Sequence, residues 1–274
     1  MGFIHDAQLF LTTSSTKRTY CLIGTAFAIV VLITIIIIAS SLSSVNPPKN
    51  DWELYLQTKK YLYVWGYPNT ENFVKFVEDH HFSRVYIYIG CVEWDVDKLI
   101  NGNFHNAGDS DAKTLMQRLI EKGIEVEPTM YLNDGVNNFA NVDKVEQVAK
   151  AMAELQKTLK FKALHFDVEP QSSSKLDDLL QMYESARKHI KVSAILKPAW
   201  LKLSMQSLKD NFDSADYYKK FKDYETFVDA IMTVTDYSDL MAYSNTYDGI
   251  NNFLDKYEVI RKRHPKHEGK PVIE

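Results

Sequence analysis

The stretch Ala163-Leu164-His165-Phe166-Asp167-Val168-Glu169-Pro170 sets three ionisable side chains at every second position among apolar ones. In an extended strand successive side chains point to opposite faces, so His165, Asp167 and Glu169 share one face and Leu164, Phe166 and Val168 the other. Three ionisable groups turned into an interior are costly unless they are solvated, paired or used. Neighbouring carboxyls oppose each other's ionisation, which is how a Glu keeps its proton at neutral pH and serves as a general acid. Glu169 is the candidate for that role, at the end of the strand where Pro170 stops it. A charge network that closes an interior is the structural alternative for the same three residues.

A second pattern, Asp239-Leu240-Met241-Ala242-Tyr243-Ser244-Asn245-Thr246-Tyr247, carries Tyr243 toward the same rim from a later strand. Trp65, Trp94, Tyr131, Trp200 and Tyr247 fall near strand ends, where aromatic faces suit sugar rings, with ordinary packing as the alternative for each. Trp65, Trp94, Tyr131 and Tyr247, together with His165, Asn133 and Asn245, form the candidate substrate-binding set. A second carboxylate for a two-carboxylate hydrolysis would come from Glu127, Asp134 or Glu274, and its distance from the acid would decide inversion or retention. As a metal ligand set, His165, Asp167 and Glu169 spread over ~13 Å of backbone, too far to meet one ion. No metal or other cofactor is expected.

These residues need a scaffold, and the chain supplies an alternation of short β-branched and aromatic runs with helical repeats, the mark of parallel βαβ units. Strands are expected at Tyr61–Tyr67, Arg84–Val92, Ile124–Leu132, Ala163–Glu169, Leu201–Ser207, Asp239–Ser244 and Val272–Glu274. Between them, apolar residues recur at spacings of three and four, as in Leu115-Met116-Leu119, Val145-Val148-Ala149-Met152 and Leu176-Leu179-Leu180-Tyr183, each giving a helix one buried face. Ser110 is expected to cap the helix that Gly123 closes. Long connections leave the C-terminal strand ends, at about residues 93–109, 133–141 and 208–224, as in a (β/α)8 TIM-type barrel. A doubly wound open sheet competes with that architecture, but no Gly-rich phosphate turn follows the first strand. Seven strand signals are present and the eighth unit is missing, so the barrel is expected to be C-terminally incomplete.

The fourth-strand acidic motif, followed two strands later by Met241-Ala242-Tyr243, resembles the chitinase-type glycoside hydrolases of family 18, which are (β/α)8 barrels. The resemblance implies that Glu169 protonates the glycosidic oxygen, that Asp167 is its partner in orienting the substrate, and that Tyr243 steadies the intermediate. The sequence departs from the family pattern at several places. His165 stands where an Asp is usual, Lys162-Ala163 replaces Asp-Gly, Ser244 replaces an Asp, and the third strand, Thr129-Met130-Tyr131-Leu132-Asn133-Asp134, lacks Ser-x-Gly-Gly.

Cys21 to Leu42 is a run of 22 residues without a charge. At ~1.5 Å per residue it can cross a ~30 Å hydrocarbon core, and it has no polar stripe to wet one face. Lys17 and Arg18 precede it, and the residues after it lack a cation excess, so the N-terminus is expected in the cytosol and the remainder in the lumen or outside the cell. A cleaved signal peptide is the rival, against which stands the length of the apolar run. Myristoylation fails because residue 6 is Asp. Residues 1–20 are thus a cytoplasmic tail, 21–42 a transmembrane signal anchor in the lipid bilayer, 43–50 a stalk stiffened by Pro47-Pro48, and 51–274 one domain.

Of the 274 residues, 45% are apolar, enough for a core, and the two cysteines, Cys21 and Cys91, cannot pair within the domain. Without Asp6, Lys17 and Arg18 the chain carries 30 basic and 35 acidic side chains, a balance that does not favour nucleic acid. The expected function is a membrane-anchored glycoside hydrolase acting on a carbohydrate substrate, with a non-catalytic carbohydrate-binding or adhesion barrel as the alternative.

Overall fold

The computed structural model describes residues 60–66, 69–91, 95–104, 111–132, 142–168, 176–240 and 247–267, all within one compact unit. The tail, apolar run and stalk, Ser110, and the expected strand Val272–Glu274 lie outside the described residues. Among the described residues no helix is long and apolar enough to cross a membrane.

Six strands are present among the described residues: β1 (Tyr61–Val64), β2 (Arg84–Cys91), β3 (Glu125–Leu132), β4 (Leu164–Val168), β5 (Val192–Leu196) and β6 (Tyr237–Leu240). They pair in sequence order and every pairing is parallel. The helices between them are α1 (Thr70–Asp79), α2 (Val96–Ile100), α3 (Ala112–Glu121), α4 (Val142–Leu159), α5 (Leu176–Arg187), α6 (Ala215–Phe221), α7 (Phe227–Val234) and α8 (Tyr247–Lys262). This is the order and parallel pairing of a partial TIM barrel.

The helices form where the apolar spacing demands. Leu115, Met116 and Leu119 of α3, Val145, Val148, Ala149 and Met152 of α4, and Leu176, Leu179, Leu180 and Tyr183 of α5 are all buried. They meet the outward strand residues Val85, Ile87, Val126, Leu164, Phe166, Val168, Val192 and Ala194, which are sealed from water. Each fully buried side chain of this size contributes roughly 1.5–3 kcal/mol, so the apolar core lies between sheet and helices. The cap of α3 is Asp111, one residue later than the sequence suggests, its carboxylate accepting from Lys113 N at 3.1 Å. Gly123 leaves the same helix at φ 77°, a left-handed turn that favours glycine.

The fifth strand is Val192–Leu196, not Leu201–Ser207. Pro198–Lys202 and Met205–Asn211 are 3₁₀ turns, and their Leu-x-Leu-x-Met alternation imitates a strand. After α5 ends at Arg187, a short αβ connection leads straight into Val192, as these units require. The connection from β5 to α7 is therefore long and structured. It holds both 3₁₀ turns and α6, and closes on itself through an isolated bridge between Ser204 and Thr226.

One buried charge fastens α7 to the end of α8. Thr226 and Asp229 form a capping box at the start of α7, and Asp229 also accepts from Arg263 through both oxygens, at 2.9 and 2.7 Å, and from His264 at 2.9 Å. Burial alone would raise this carboxyl, but the bonds from His264, Arg263 and Thr226 prevail and hold it well below the ordinary aspartate range. Asp229→Asn should cost about 3 kcal/mol, read as a lower midpoint in urea. Because the folded carboxyl ionises below the ordinary ~3.9, its stabilisation is whole above about pH 4 and drains as pH falls further. The Asn variant should lose that acid-dependent part while the wild type keeps it.

Candidate functional site

The sheet turns a polar face inward. Register places Tyr63 beside Tyr86 and Tyr86 beside Glu127, then Thr129 beside His165 and His165 beside Ser193. The sheet is curled enough for Tyr63 of β1 and His165 of β4 to share a hydrogen bond of 3.0 Å.

His165 is the centre of this interior and is wholly enclosed. Its Nδ1 lies 2.8 Å from Ser193 Oγ and 3.5 Å from Asp239 Oδ2, and Glu127 Oε2 is 4.0 Å away. The Tyr86 ring is 4.7 Å from the imidazole, itself stacked on Tyr63 at 4.3 Å. Ser193 Oγ donates to Glu127 Oε2 in a very close contact, and Arg84 lies 3.2 Å from Glu127 Oε1. With Glu127 acting as acceptor, Ser193 must accept from Nδ1–H, and Nε2 in turn accepts from the Tyr63 hydroxyl. The chain of donors thus runs Tyr63, His165, Ser193, Glu127 in one direction and assigns the neutral Nδ1–H tautomer.

Arg84 enters from the lower end of the barrel. It binds Glu125 through Nε at 3.0 Å and through its terminal nitrogen at 2.7 Å, donates to Tyr86 OH at 3.1 Å, and lies over the Tyr61 ring at 5.1 Å. Burial works against its charge, but Tyr86, Glu127 and Asp239 raise its pKa further still. Burial also raises Glu127, against the pull of Arg84 and Ser193, and lifts the Tyr86 hydroxyl well above its usual range. Burial first and then the nearby Arg84 charge push His165 down to about 3.

At the C-terminal ends of the strands the surroundings change. A register shift in β2 between Tyr88 and Gly90 pairs Gly90 with Met130 and Cys91 with Tyr131, turning the buried Cys91 to the inner face. Gly90 then faces α2, where an added Cβ would come within 3.0 Å of Asp95 Cβ and 3.2 Å of Leu99, so a side chain there forces the helix away. On the same inner level Tyr131 pairs with Asp167, which is 3% exposed. Trp65 lies 5.4 Å from Tyr88 and edge-on to Tyr131 at 5.2 Å, and all three rings are partly exposed.

The structure therefore brings Asp167, Trp65 and Tyr131 together and adds Tyr88 and Cys91, which sequence reasoning passed over. The alternation Tyr86-Ile87-Tyr88 was a signal for Tyr88; nothing in the sequence announces the bulge that turns Cys91. Three expectations are corrected. His165 is enclosed with both ring nitrogens engaged, by Tyr63 and Ser193, and presents no open face at the strand ends. Glu127 is sealed against Arg84 near the N-terminal end of β3 and is not a rim carboxylate. Trp200 is buried edge-on against Phe227 at 5.6 Å, in the connection after β5. Glu169, Tyr243, Trp94, Asn133, Asn245, Asp134, Glu274 and the Tyr247 side chain lie outside the described residues. Among the described residues no group of three or more His, Cys, Asp or Glu side chains could hold a metal ion.

No protein-family model matches the sequence, and no curated protein matches it either. Similar solved structures include a chitinase from Chromobacterium violaceum, 15% identical over 78% of this chain and 67% of that one, with a TM-score of 0.47. A chitinase from Bacteroides thetaiotaomicron is 12% identical over 78% of this chain and 66% of that one, TM-score 0.49. The spore cortex-lytic enzyme SleL of Bacillus megaterium is 12% identical over 84% of this chain and 52% of its own, TM-score 0.47. These neighbours are chitinases and other glycoside hydrolases, and the chain spans about half to two thirds of their length. The likeness is one of fold.

His165 sets a pH dependence of its own. Its folded-state pKa lies below the ordinary ~6.5, so the unfolded chain takes up the proton first. The resulting stability is whole above about pH 6.5 and drains toward about pH 3, by up to ~1.4 kcal/mol per pH unit. His165→Gln should be less stable at neutral pH, but its urea midpoint should fall less between about pH 7 and pH 5 than that of the wild type. Equal falls in the two proteins would show that His165 does not carry this dependence.

Proposed function

We propose that this chain is a membrane-anchored glycoside hydrolase, with residues 21–42 in the bilayer and the barrel domain lumenal or extracellular. The observation that carries the reading is the position of Asp167. It is an inward carboxylate on the C-terminal level of β4, paired in register with Tyr131, beside the partly exposed rings of Trp65 and Tyr88. Glu169 follows two residues later in the sequence, with the same parity as Asp167. Carboxyls that act on a substrate beside apolar ring faces are the usual furniture of a sugar-cleaving site.

In this reading Glu169 gives its proton to the glycosidic oxygen as the bond from the anomeric carbon to that oxygen breaks. Asp167 orients the reacting sugar and Tyr243 steadies the positive charge that develops on the ring. A water molecule then adds to the anomeric carbon and returns a proton to Glu169, so the catalyst ends as it began. Trp65, Tyr88 and Tyr131 hold the sugar through their ring faces, and the buried hydrogen bonds of His165 fix the strand beneath them.

A panel of chromogenic glycosides tests this with the full chain in detergent micelles. Glu169→Gln should lower turnover by about 10²-fold or more while glycan affinity stays near that of the wild type. Trp65→Ala should weaken binding by about tenfold. Glycan binding without cleavage of any panel member would replace the enzyme with a non-catalytic carbohydrate-binding barrel, and absence of both would end the sugar reading altogether. Deleting residues 1–42 should move the protein from the carbonate-washed membrane fraction to the soluble one; retention on the membrane would remove the anchor from the proposal.

A further inference from the structure

The connections that lead into the strands carry a charge of their own. Because all six strands are parallel, the segments just before them lie together at the end of the barrel where the strands start. Those segments are residue 60 and residues 80–83, 122–124, 160–163, 188–191 and 235–236. They hold six lysines, Lys60, Lys122, Lys160, Lys162, Lys188 and Lys191, and one acid, Asp236. The remainder of residues 21–274 carries 24 basic and 34 acidic side chains, so this end is cationic in a domain that is acidic elsewhere. The last turns of the helices that end here hold five basic and four acidic residues and do not reverse the balance.

The six lysines form one rim. Ser83 N donates to Lys60 O at 2.8 Å and Leu164 N to Lys191 O at 2.9 Å, which ties neighbouring segments together. Lys162 and Lys191 flank a single ring, their Nζ atoms 4.8 and 5.5 Å from the centre of Tyr237. Lys266 extends the rim beside His267, whose Nε2 lies 3.4 Å from Thr235 Oγ1. All of these lysines are exposed except Lys162, which is half-buried. Lys122 and Lys162 are balanced by Glu78 at 3.0 Å and Glu125 at 3.1 Å. Lys60 instead donates to the carbonyl oxygen of His80 at 3.2 Å, a neutral acceptor that leaves its charge in place. Lys188 lies 3.8 Å from Glu146, an acid that Lys150 and His189 already engage at 2.9 Å. Lys160 holds φ 61°, the left-handed conformation that glycine takes at position 123, so a cation stands there in place of the easier residue.

Sugar cleavage has no use for this end, since the reacting groups of such a barrel belong to the opposite ends of the strands. The chain itself arrives here: 17 residues, 43–59, separate the apolar run from Lys60. At no more than ~3.6 Å each they span at most about 60 Å, which keeps Lys60 within reach of any bilayer that holds residues 21–42. We propose that the lysine rim at the strand starts is a docking face for the anionic lipid headgroups of that bilayer. This rests on the membrane part of the proposed function and is independent of the catalytic part. Tethering makes the contact intramolecular, so attractions too weak to hold a free protein suffice. Each lysine brought to an anionic surface favours the docked state about fivefold. Docking by the rim leaves the mouth of the barrel facing the medium.

Hydrogen exchange on the full chain reconstituted into vesicles tests this. One set of vesicles is phosphatidylcholine alone, and the other is phosphatidylcholine and phosphatidylglycerol in equal parts. Backbone amides of residues 160–163 and 188–191 should exchange about fivefold or more slowly on the mixed vesicles at low salt, while residues 198–211 exchange alike on both. Salt at about 1 M should erase the difference, because the Debye length falls to about 3 Å. A variant carrying Lys60→Glu, Lys160→Glu and Lys188→Glu should lose the protection, and the wild-type comparison stands whether or not that variant folds. Equal exchange of the wild type on the two vesicle types would overturn the proposal, as would protection that survives in the folded triple variant. Dissolved heparin that slows the same amides on neutral vesicles, with no effect of phosphatidylglycerol, would also overturn it and give the rim to a soluble polyanion. Carbonate washing of the vesicles separates the two readings. A chain that stays bound without lipid-dependent protection keeps its anchor and loses the docking face, whereas a chain that washes off loses both.

Discussion

The interior of the barrel depends on an uncharged imidazole held by donors and acceptors from every other strand. His165 meets Tyr63 of β1, Tyr86 of β2, Glu127 of β3, Ser193 of β5 and Asp239 of β6. An apolar residue there would take a buried partner from Ser193 and from Tyr63, and unmade bonds at buried polar groups cost about 1–3 kcal/mol each. A charged imidazole would bring a second cation beside Arg84. The neutral Nδ1–H form is the one state that joins the Tyr63 hydroxyl to the Arg84–Glu127 pair without adding charge. Because side chains alternate with period two, this arrangement also fixes register: a one-residue slip of β4 would turn His165 outward and Phe166 inward.

Most of the scaffold was legible because its causes are local. Helical spacings of three and four placed α3, α4 and α5, and Gly123 marked the end of α3. The fifth strand was not legible from pattern alone, since Leu201, Leu203 and Met205 alternate as a strand does. Connection length decides it, because a strand at Leu201 would leave an αβ loop of over a dozen residues after Arg187. The alternation on β4 likewise carries the shared face of His165 and Asp167. What it left open was depth. Glu127 and Asp167 are both inward carboxylates, yet one is near the start of its strand against Arg84 and the other at the end of its strand among partly exposed rings. Depth depends on which neighbours arrive from strands far away in sequence, and composition does not carry that.

Stability and chemistry are separated in space. The apolar contribution comes from the outer face, where Phe166 meets Tyr183 edge-on at 5.6 Å and Leu164, Val168, Val192 and Ala194 lie sealed under the helices. A TIM barrel usually fills its inside with branched apolar side chains as well. Here the described inner residues include a guanidinium, three carboxyls, an imidazole and hydroxyls beside Ile195 and Cys91. Buried ion pairs seldom add net stability, because desolvation offsets their attraction, so the gain is in defining one geometry at the strand ends.

This charge distribution also explains the most conspicuous departure from the chitinase-type pattern. An Asp at position 165 would be a fourth enclosed carboxyl beside Glu127, Asp167 and Asp239, with Arg84 still the single guanidinium among the described inner residues. Like charges at such range oppose each other's ionisation. Histidine accepts from Tyr63 and donates toward Ser193 and Asp239, two jobs that an ionised carboxylate cannot combine because it only accepts. With acidic groups contributed by the third and sixth strands, the fourth strand has to carry a neutral residue that can bond in both senses at that depth. Its described carboxylate, Asp167, stands higher up, at the level of Tyr131.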